Sequence, residues 1–377
     1  MNLFVLFVLA AYVGMQGLIY WRLRRAVPQR VGWRAGVIGW FVAMGVALFL
    51  ARPFEALGWH VAASVAGVAG HWWVVASMWV ILFGAACEVW NLVPRCLPQL
   101  RRLRIRLRVQ AIAAAAMVAG LTAWGVVEMH AVRLETLPLR TGRLPAGSRP
   151  IRIVQFSDLH LNALMSRGRL ERFLAAIRAA RPDLLLFTGD FADESSGHVE
   201  RLAAMLATLE APLGKLAVTG NHEFYRGLAR TAPLFDKAGF ALLRGERLRV
   251  APGLLVAGVD DYAAERLGIV EAEQEDRALP PAERSEFVIL LKHRPHVEPG
   301  ATGRFDLQLS GHTHGGQVFP GLWPLRFFYR YTRGRYELGG GSQLYVTRGV
   351  GTYGVPLRVF SPPEVTLITL SPLAPNR

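Results

Sequence analysis

The chain has 377 residues, 52% of them hydrophobic, with 43 Lys+Arg against 28 Asp+Glu, a net charge of +15 and two cysteines. Such a composition excludes a disulfide scaffold and a disordered chain, and the length exceeds one small module. The charge is uneven, with 12 Arg and 3 Glu in residues 1–131 and the other 31 Lys+Arg and 25 Asp+Glu beyond them. An apolar N-terminal third, residues 1–131, is therefore predicted ahead of a domain of ordinary soluble composition.

Four transmembrane helices are expected in that third, at about 1–20, 35–52, 61–87 and 109–127. A helix of about 20 residues rises roughly 30 Å, the thickness of a bilayer's hydrocarbon core. The first stretch lacks the basic residues that open a cleaved signal peptide, so it reads as a span. Arginines then set the orientation. Arg22, Arg24, Arg25, Arg30 and Arg34 follow the first span, Arg52 alone follows the second, and Arg95, Arg101, Arg102, Arg104, Arg106 and Arg108 follow the third. By the positive-inside rule the two arginine-rich loops face the cytoplasm of an inner membrane, which puts the C-terminal domain on the periplasmic or extracellular side. The same loops remove a nucleic-acid reading of the net charge, because arginines there serve topology and contact with anionic lipid. Cys87 and Cys96, near the cytoplasmic end of the third span, are expected to be reduced and unpaired. His71 inside that span reads as a neutral imidazole facing another helix, and the lack of charges within the spans argues against an ion-transporting role.

Residues 132–149, rich in Pro, Gly and Arg, are predicted as a linker, and 150–373 as the second domain. There, apolar runs alternate with helical patterns: strand Ile151–Phe156, helix Arg169–Ala180, strand Leu184–Thr188, helix Val199–Leu209 and strand Leu216–Thr219. Further strands are expected at Phe240–Leu243, Arg247–Val250, Leu254–Val259, Phe287–Leu291, Leu307–Leu309, Leu344–Val346 and Val365–Leu370, with an acidic helical stretch near 271–276. That many strands implies two sheets.

Five of the apolar runs end in short polar clusters: Asp158-Leu-His160, Gly189-Asp190, Gly220-Asn221-His222-Glu223, Lys292-His293 and Gly311-His312-Thr-His314-Gly315-Gly316. Loops at the carboxyl ends of strands converge on one crevice, so these side chains can meet although they are far apart in sequence. Five of the seven histidines beyond residue 131 fall inside these clusters. Imidazole and carboxylate donors suit Zn, Mn or Fe, and the lack of thiolates and of many oxygens argues against soft ions and Ca. The i,i+2 spacing of Asp158 with His160, and of His312 with His314, lets each pair share one ion. Asp190 is the natural carboxylate to bridge two. A pair of divalent ions can hold a bridging hydroxide and stabilise the attacking and leaving oxygens of a displacement at phosphorus.

These five blocks, in this order, resemble the signature of the calcineurin-like metallophosphoesterases over about residues 150–371. Gly315-Gly316-Gln317, Arg348-Gly-Val-Gly351, Arg358 and Pro363-Glu364 look like the bacterial membrane-associated YaeI/YkuE-like branch. The resemblance implies an α/β four-layer (αββα) sandwich. It implies Asp158, His160 and His314 on a first metal, Asn221, His293 and His312 on a second, Asp190 on both, and His222 as the acid that protonates the leaving oxygen. The cofactors implied are two divalent ions, and the substrate a phosphoester, expected to be a phosphodiester and open to being a phospholipid or lipid-linked phosphate. Two other functions stay open: a pyrophosphate hydrolase of the UDP-diacylglucosamine type, whose cytoplasmic substrate conflicts with the orientation above, and a non-catalytic module that uses metal to hold phosphate.

His293 is preferred to His296 because Val288–Leu291 runs directly into it, and Asp260 and Asp261 read as turn residues. Glu223 is expected to orient a neighbour. Leu322–Arg335 interleaves aromatic rings with Arg326, Arg330, Arg333 and Arg335, and reads equally as a wedge at a lipid headgroup layer or as a loop packed on a sheet edge.

Overall fold

The fold is that of a computed structural model, which describes residues 3–25, 31–194, 196–270 and 274–373. The chain divides into two compact units, Met1–Trp124 with Gly354–Pro356, and Gly125–Tyr353 with Leu357–Arg377.

The first unit is helical, with α1 (Leu3–Leu23), α2 (Val31–Ala56), α3 (His60–Cys96) and most of α4 (Leu107–Glu128). Among the described residues three helices, not the four expected, are long and apolar enough to cross a membrane: Val31–Ala56, Val61–Cys96 and Leu107–Glu128. The expected first span begins on residues outside those described. α3 runs past the expected end at Cys87 because its polar continuation is tied down within the unit. Glu88 pairs with Arg95 at 3.0 Å and with Arg22 at 2.8 Å, and the Asn91 amide exchanges two hydrogen bonds with the backbone of Ile105. Those partners satisfy polar groups that would otherwise end the apolar run.

The second unit holds two six-stranded sheets. Its elements in order are β1 (Arg133–Thr141), β2 (Ile151–Phe156), α5 (Arg167–Ala180), β3 (Leu184–Thr188), α6 (Gly197–Ala207), β4 (Lys215–Val218), α7 (Asn221–Arg226), α8 (Leu228–Ala238) and β5 (Ala241–Leu242). There follow β6 (Glu246–Ala251), β7 (Leu254–Gly258), α9 (Tyr262–Arg266), α10 (Gln274–Ala278), β8 (Phe287–Leu291), β9 (Leu307–Ser310), α11 (Leu322–Phe328), β10 (Gly334–Glu337), β11 (Gln343–Val346) and β12 (Glu364–Pro372). The strand orders are β1-β12-β2-β3-β4-β5 and β10-β11-β9-β8-β7-β6. Of the acidic stretch near 271–276, residues 271–273 lie outside those described, and the helix there is α10.

Period-two alternation explains the layering. Along β2, Ile151 and Ile153 join Leu184, Leu186, Val256, Ile289 and Leu309 in a core shared by the two sheets, whereas Val154 and Phe156 face α5, α6 and α8. Leu255, Ala257, Val288 and Leu290 turn to the outer face of the second sheet, beside Ala278 and Phe305. Ser166 and Ser196 start α5 and α6 by accepting from the amides of Arg169 and Val199, as N-caps do.

The expected linker is a strand. β1 lies within 132–149 and pairs in parallel with β12, with Leu137 and Leu139 buried and Pro138 between them exposed. β1 is an edge strand, where Pro138 costs no ladder bond that the sheet needs. What read as linker composition is thus an edge strand with one apolar face.

Candidate metal centre

Each polar cluster sits just past the carboxyl end of a strand: Asp158 and His160 after β2, Asp190 after β3, Asn221 and His222 after β4, His293 after β8, and His312 and His314 after β9. β2, β3 and β4 are parallel neighbours, as are β8 and β9, so their ends lie along one edge of each sheet. The loops cross over with unusual backbone. Asp158, His160, Asp190, His312 and His314 all have positive φ, between 47° and 71°, a region costly for residues with a Cβ and concentrated at functional sites. Glycine is required where those loops touch. A Cβ on Gly220 would collide with the Asp190 carboxylate, and one on Gly311 with Asp158 and Ser157.

Two groups result. In one, the Nε2 atoms of His160 and His314 are 3.1 Å apart, and His314 Nε2 is 3.5 Å from Asp158 Oδ1. In the other, His293 Nε2 lies 3.1 Å from His312 Nδ1 and 3.2 Å from Asp190 Oδ2. Asp190 Oδ2 is also 3.6 Å from His160 Nε2, so that carboxylate reaches both groups. Metal–nitrogen bonds of about 2.1 Å separate neighbouring ligand atoms by roughly 3.0–3.4 Å, depending on the coordination angle. The donor spacings fit a cation in each group, and both groups have the ligand geometry to hold a metal ion. Asn221 supports the same fit. It follows Gly220, and its buried amide oxygen has no hydrogen-bond partner among the described residues, a state expensive for a polar atom unless something binds it.

The electrostatics divide the imidazoles. Burial pulls His160 and His293 down, but facing carboxylates outweigh it. Asp193, Asp190 and Asp158 push His160 up to about 9, and Asp190, Asp158 and Asp261 push His293 up to about 10. His312 and His314 are held well below the usual histidine range, first by burial and then by the cationic neighbours His293 and Arg294, or His160 and Arg358. Burial raises Asp190, yet His293, His222 and His160 together hold it below the ordinary carboxylate range.

Several groups that orient this cluster carry weak sequence signals. Asp193 Oδ1 is 2.8 Å from Nδ1 of His160 and 2.8 Å from Nδ1 of His222. Asp193, His160 and His222 are close enough to form a third possible cation group. The His160 contact is a hydrogen bond, and a carboxylate accepting from Nδ1–H fixes the tautomer that leaves Nε2 for a cation, whereas His222 Nδ1 approaches Asp193 as a charge contact and has no hydrogen-bond partner among the described residues. The one signal of Asp193 in sequence is its place three residues after Asp190. Tyr329, directly after α11, has its hydroxyl 2.7 Å from His312 Nε2. Arg358 is fully buried, donates to the carbonyls of Gly351, Ser361 and Arg348, and approaches His314 Nδ1 at 3.5 Å.

The residues set apart in sequence lie elsewhere. His296 is exposed beside Glu298. Asp260 binds Thr219 and Arg244, and Asp261 caps α9 and pairs with Arg294. Glu223 accepts from the backbone amides of Asp190, Phe191 and Gly220. Burial and the Asp190 charge raise Glu223 to about 7 against those donors. His71 Nδ1 is 2.7 Å from the Gly67 carbonyl of its own helix.

Residues 151–316 match the calcineurin-like phosphoesterase family. An uncharacterized metallophosphoesterase of Aquifex aeolicus is 41% identical over 251 residues, covering 66% of this chain and 96% of the relative. YkuE of Bacillus subtilis, named as an uncharacterized metallophosphoesterase, is 34% identical, covering 69% of this chain and 93% of its own length. A transmembrane protein with metallophosphoesterase domain from Danio rerio is 29% identical, covering 69% of this chain and 62% of its own. Among solved structures, Haemophilus influenzae NAD nucleotidase matches at 14% identity and a TM-score of 0.35, over 56% of this chain and 49% of that one. On the strength of its long, near full-length match to the Aquifex and Bacillus proteins, the chain belongs to the calcineurin-like phosphoesterase family.

Proposed function

We propose that this chain is a membrane-anchored phosphoester hydrolase with a binuclear centre, acting on a phosphodiester of a phospholipid or lipid-linked phosphate. The observation that carries the hydrolase reading is the pair of donor groups sharing Asp190, with ligand atoms 3.1 Å apart in each. Asp158, His160 and His314 would hold one divalent ion, Asn221, His293 and His312 the other, and Asp190 both. Ions bound there supply Lewis-acid activation of water and neutralise charge on the phosphoryl oxygens. His222 carries the proton chemistry of the chain itself. The Asp193 carboxylate, 2.8 Å from its Nδ1, would stabilise the protonated ring that delivers a proton to the leaving oxygen.

Orientation rests on one helix. Six arginines lie at residues 95–108, before and at the start of α4, against Arg133, Arg140 and Arg143 in the 20 residues after it, and that bias favours an α4 that carries the chain away from the cytoplasmic side however many spans come before. Within the helical unit, Arg22 at the end of α1 contacts both Glu88 near the end of α3 and Gln110 at the start of α4. That arrangement favours a single arginine-rich face and an α1 that runs the full depth of the unit. The catalytic domain would then face the periplasm or exterior of an inner membrane.

The reading is tested by stripping metal from the full chain with a chelator and restoring Mn or Zn. Turnover of bis-p-nitrophenyl phosphate should vanish and return; turnover indifferent to metal would reject the binuclear reading, and metal binding without turnover would leave a phosphate-holding module.

A further inference from the structure

α11 is a helix with no buried residue. Trp323 is 59% exposed, Phe327 88% and Phe328 73%. Soluble surfaces rarely gather rings of that size unless something covers them. The charges around them have one sign: residues 319–336 contain four arginines and no Asp or Glu. Among the described residues no carboxylate pairs with Arg326, Arg330 or Arg333, whereas Arg335 is paired with Glu337.

The same patch continues inside the second unit in two directions. The Phe319 ring lies 5.6 Å from Trp323 and 5.7 Å from Phe360. The Phe360 amide donates to Glu128 at 2.6 Å, in the last turn of the apolar helix α4. A row of aromatic rings thus leads from the end of a helix apolar enough to cross a membrane to α11. Beneath the row is a cleft of about 170 Å³ lined by Phe319, Leu322, Trp323, Val359, Phe360 and Arg333, an apolar slot with a guanidinium at its edge. It reaches Gly315 and Gly316, the residues after His314. At its other end α11 runs straight into Tyr329, whose hydroxyl touches His312.

We propose that α11 and the segment to Arg333 form a lipid-docking wedge, seated on the headgroup region of an anionic phospholipid bilayer. Trp323, Phe327 and Phe328 enter the interface, and Arg326, Arg330 and Arg333 bind headgroup phosphates. A helix that is aromatic on its exposed side, flanked by unpaired cations and continuous with the end of an apolar helix, matches that chemistry better than a protein surface, which would have to supply its own acidic partners. The wedge puts the donor groups within reach of phosphoesters still embedded in the bilayer. This step deepens the hydrolase reading and rests on it only for the activity arm of the test.

The test uses the full chain with Cys87→Ser, Cys96→Ser and Phe327→Cys, carrying an environment-sensitive fluorophore at position 327, in nanodiscs with and without phosphatidylglycerol. Lipid-borne quenchers should reach the label, aqueous iodide should not, and a label at Arg172→Cys on α5 should behave the opposite way. A label at 327 open to iodide in both lipid compositions overturns the proposal, and one shielded equally in detergent assigns the face to a protein contact instead. In the second arm, Phe327→Ser, Phe328→Ser, Arg326→Gln and Arg330→Gln are combined. At roughly fivefold per arginine lost from an anionic surface, turnover of vesicle-embedded phosphatidylglycerol should fall about 25-fold or more, with soluble bis-p-nitrophenyl phosphate unchanged. Equal turnover of both substrates by the variant and the parent overturns the wedge. If the metal-loaded parent turns over neither substrate, the hydrolase reading fails while the quenching result still decides the docking.

Discussion

Asp193→Asn separates the proton chemistry from the metal chemistry. The wild-type carboxylate places one oxygen 2.8 Å from Nδ1 of both His160 and His222, while its other oxygen accepts from Asn162 at 3.2 Å. An asparagine keeps the volume and, with its oxygen toward the imidazoles, keeps an acceptor, but removes the charge. A hydrogen bond to a charged group contributes about 1.5–3 kcal/mol, against about 1 kcal/mol for a neutral one. At saturating metal the His160 contact matters little, since the bound ion holds that ring. The His222 contact still bears on the protonation of the leaving oxygen, and about 1.4 kcal/mol is tenfold in rate. With the neutral acceptor kept, the loss is the difference, about 0.5–2 kcal/mol, or roughly 2- to 30-fold in kcat for an alkyl phosphodiester. A p-nitrophenyl ester, whose leaving group needs little protonation, should lose far less. The assay is steady-state turnover of both esters across a metal titration, with metal content measured in parallel. Equal losses on the two esters at saturating metal, or no loss on the alkyl ester, would refute the relay.

Two further outcomes follow from the same cluster. His160 and His293 are raised to about 9 and about 10 in the metal-free protein, so both hold protons at neutral pH and must release them to bind a cation. Metal affinity should then strengthen by about tenfold per pH unit per displaced proton up to those values, and a weakly buffered solution at pH 7.5 should acidify on adding Mn; no proton release would contradict it. The sign for stability is opposite: with folded values above the unfolded one, these two rings stabilise the metal-free protein fully below about 6.5. That contribution is lost as pH rises through about 9 and about 10. Tyr329→Phe removes the hydroxyl at His312 Nε2, which should weaken metal affinity about 10- to 100-fold with kcat at saturating metal nearly kept, a split that titration with Mn followed by turnover would expose.

The strands that lead into the clustered side chains were legible because they are almost wholly buried. β2, β3, β4, β8 and β9 are short, mostly apolar runs, and each is followed by polar residues that a core strand does not favour. The residues that cluster there stood out for the same reason, since Asp190 or His312 at the end of such a run has no packing role. β1 was not legible. Its apolar face is two leucines among Arg, Glu, Thr and Pro, and its partner β12 lies more than 220 residues away in sequence, so nothing local marks it. The expected first span is a limit of another kind, because it begins on residues outside those described. Asp193 and Tyr329 act through the histidines they touch, and an acidic residue in a loop or an aromatic after a short helix has many ordinary uses. Only the 2.8 Å and 2.7 Å contacts single them out.

The donor loops owe their shape to one another more than to the ions they would hold. The Asp158 amide donates to the Gly189 carbonyl at 2.9 Å, His160 to Asp190 at 3.1 Å, Gly311 to His293 at 2.9 Å and Gly351 to Asp158 at 2.8 Å. Glu223 ties the β3 and β4 loops together from beneath through three more amides. Five non-glycine residues at positive φ cost of order 1–3 kcal/mol each, and a set of loops that merely rested on their own strands would relax out of it. Here each strained residue is bonded through its backbone, or through its immediate neighbour, to a different loop, so relaxing one would break bonds in the next. Main-chain bonds between the loops therefore oppose relaxation of the strained residues. On that basis isosteric exchange of the side chains in the proposed donor set, such as Asp190→Asn, should leave the edge of the sheets on which they stand intact, with far-UV circular dichroism and the unfolding midpoint of the metal-free protein nearly unchanged.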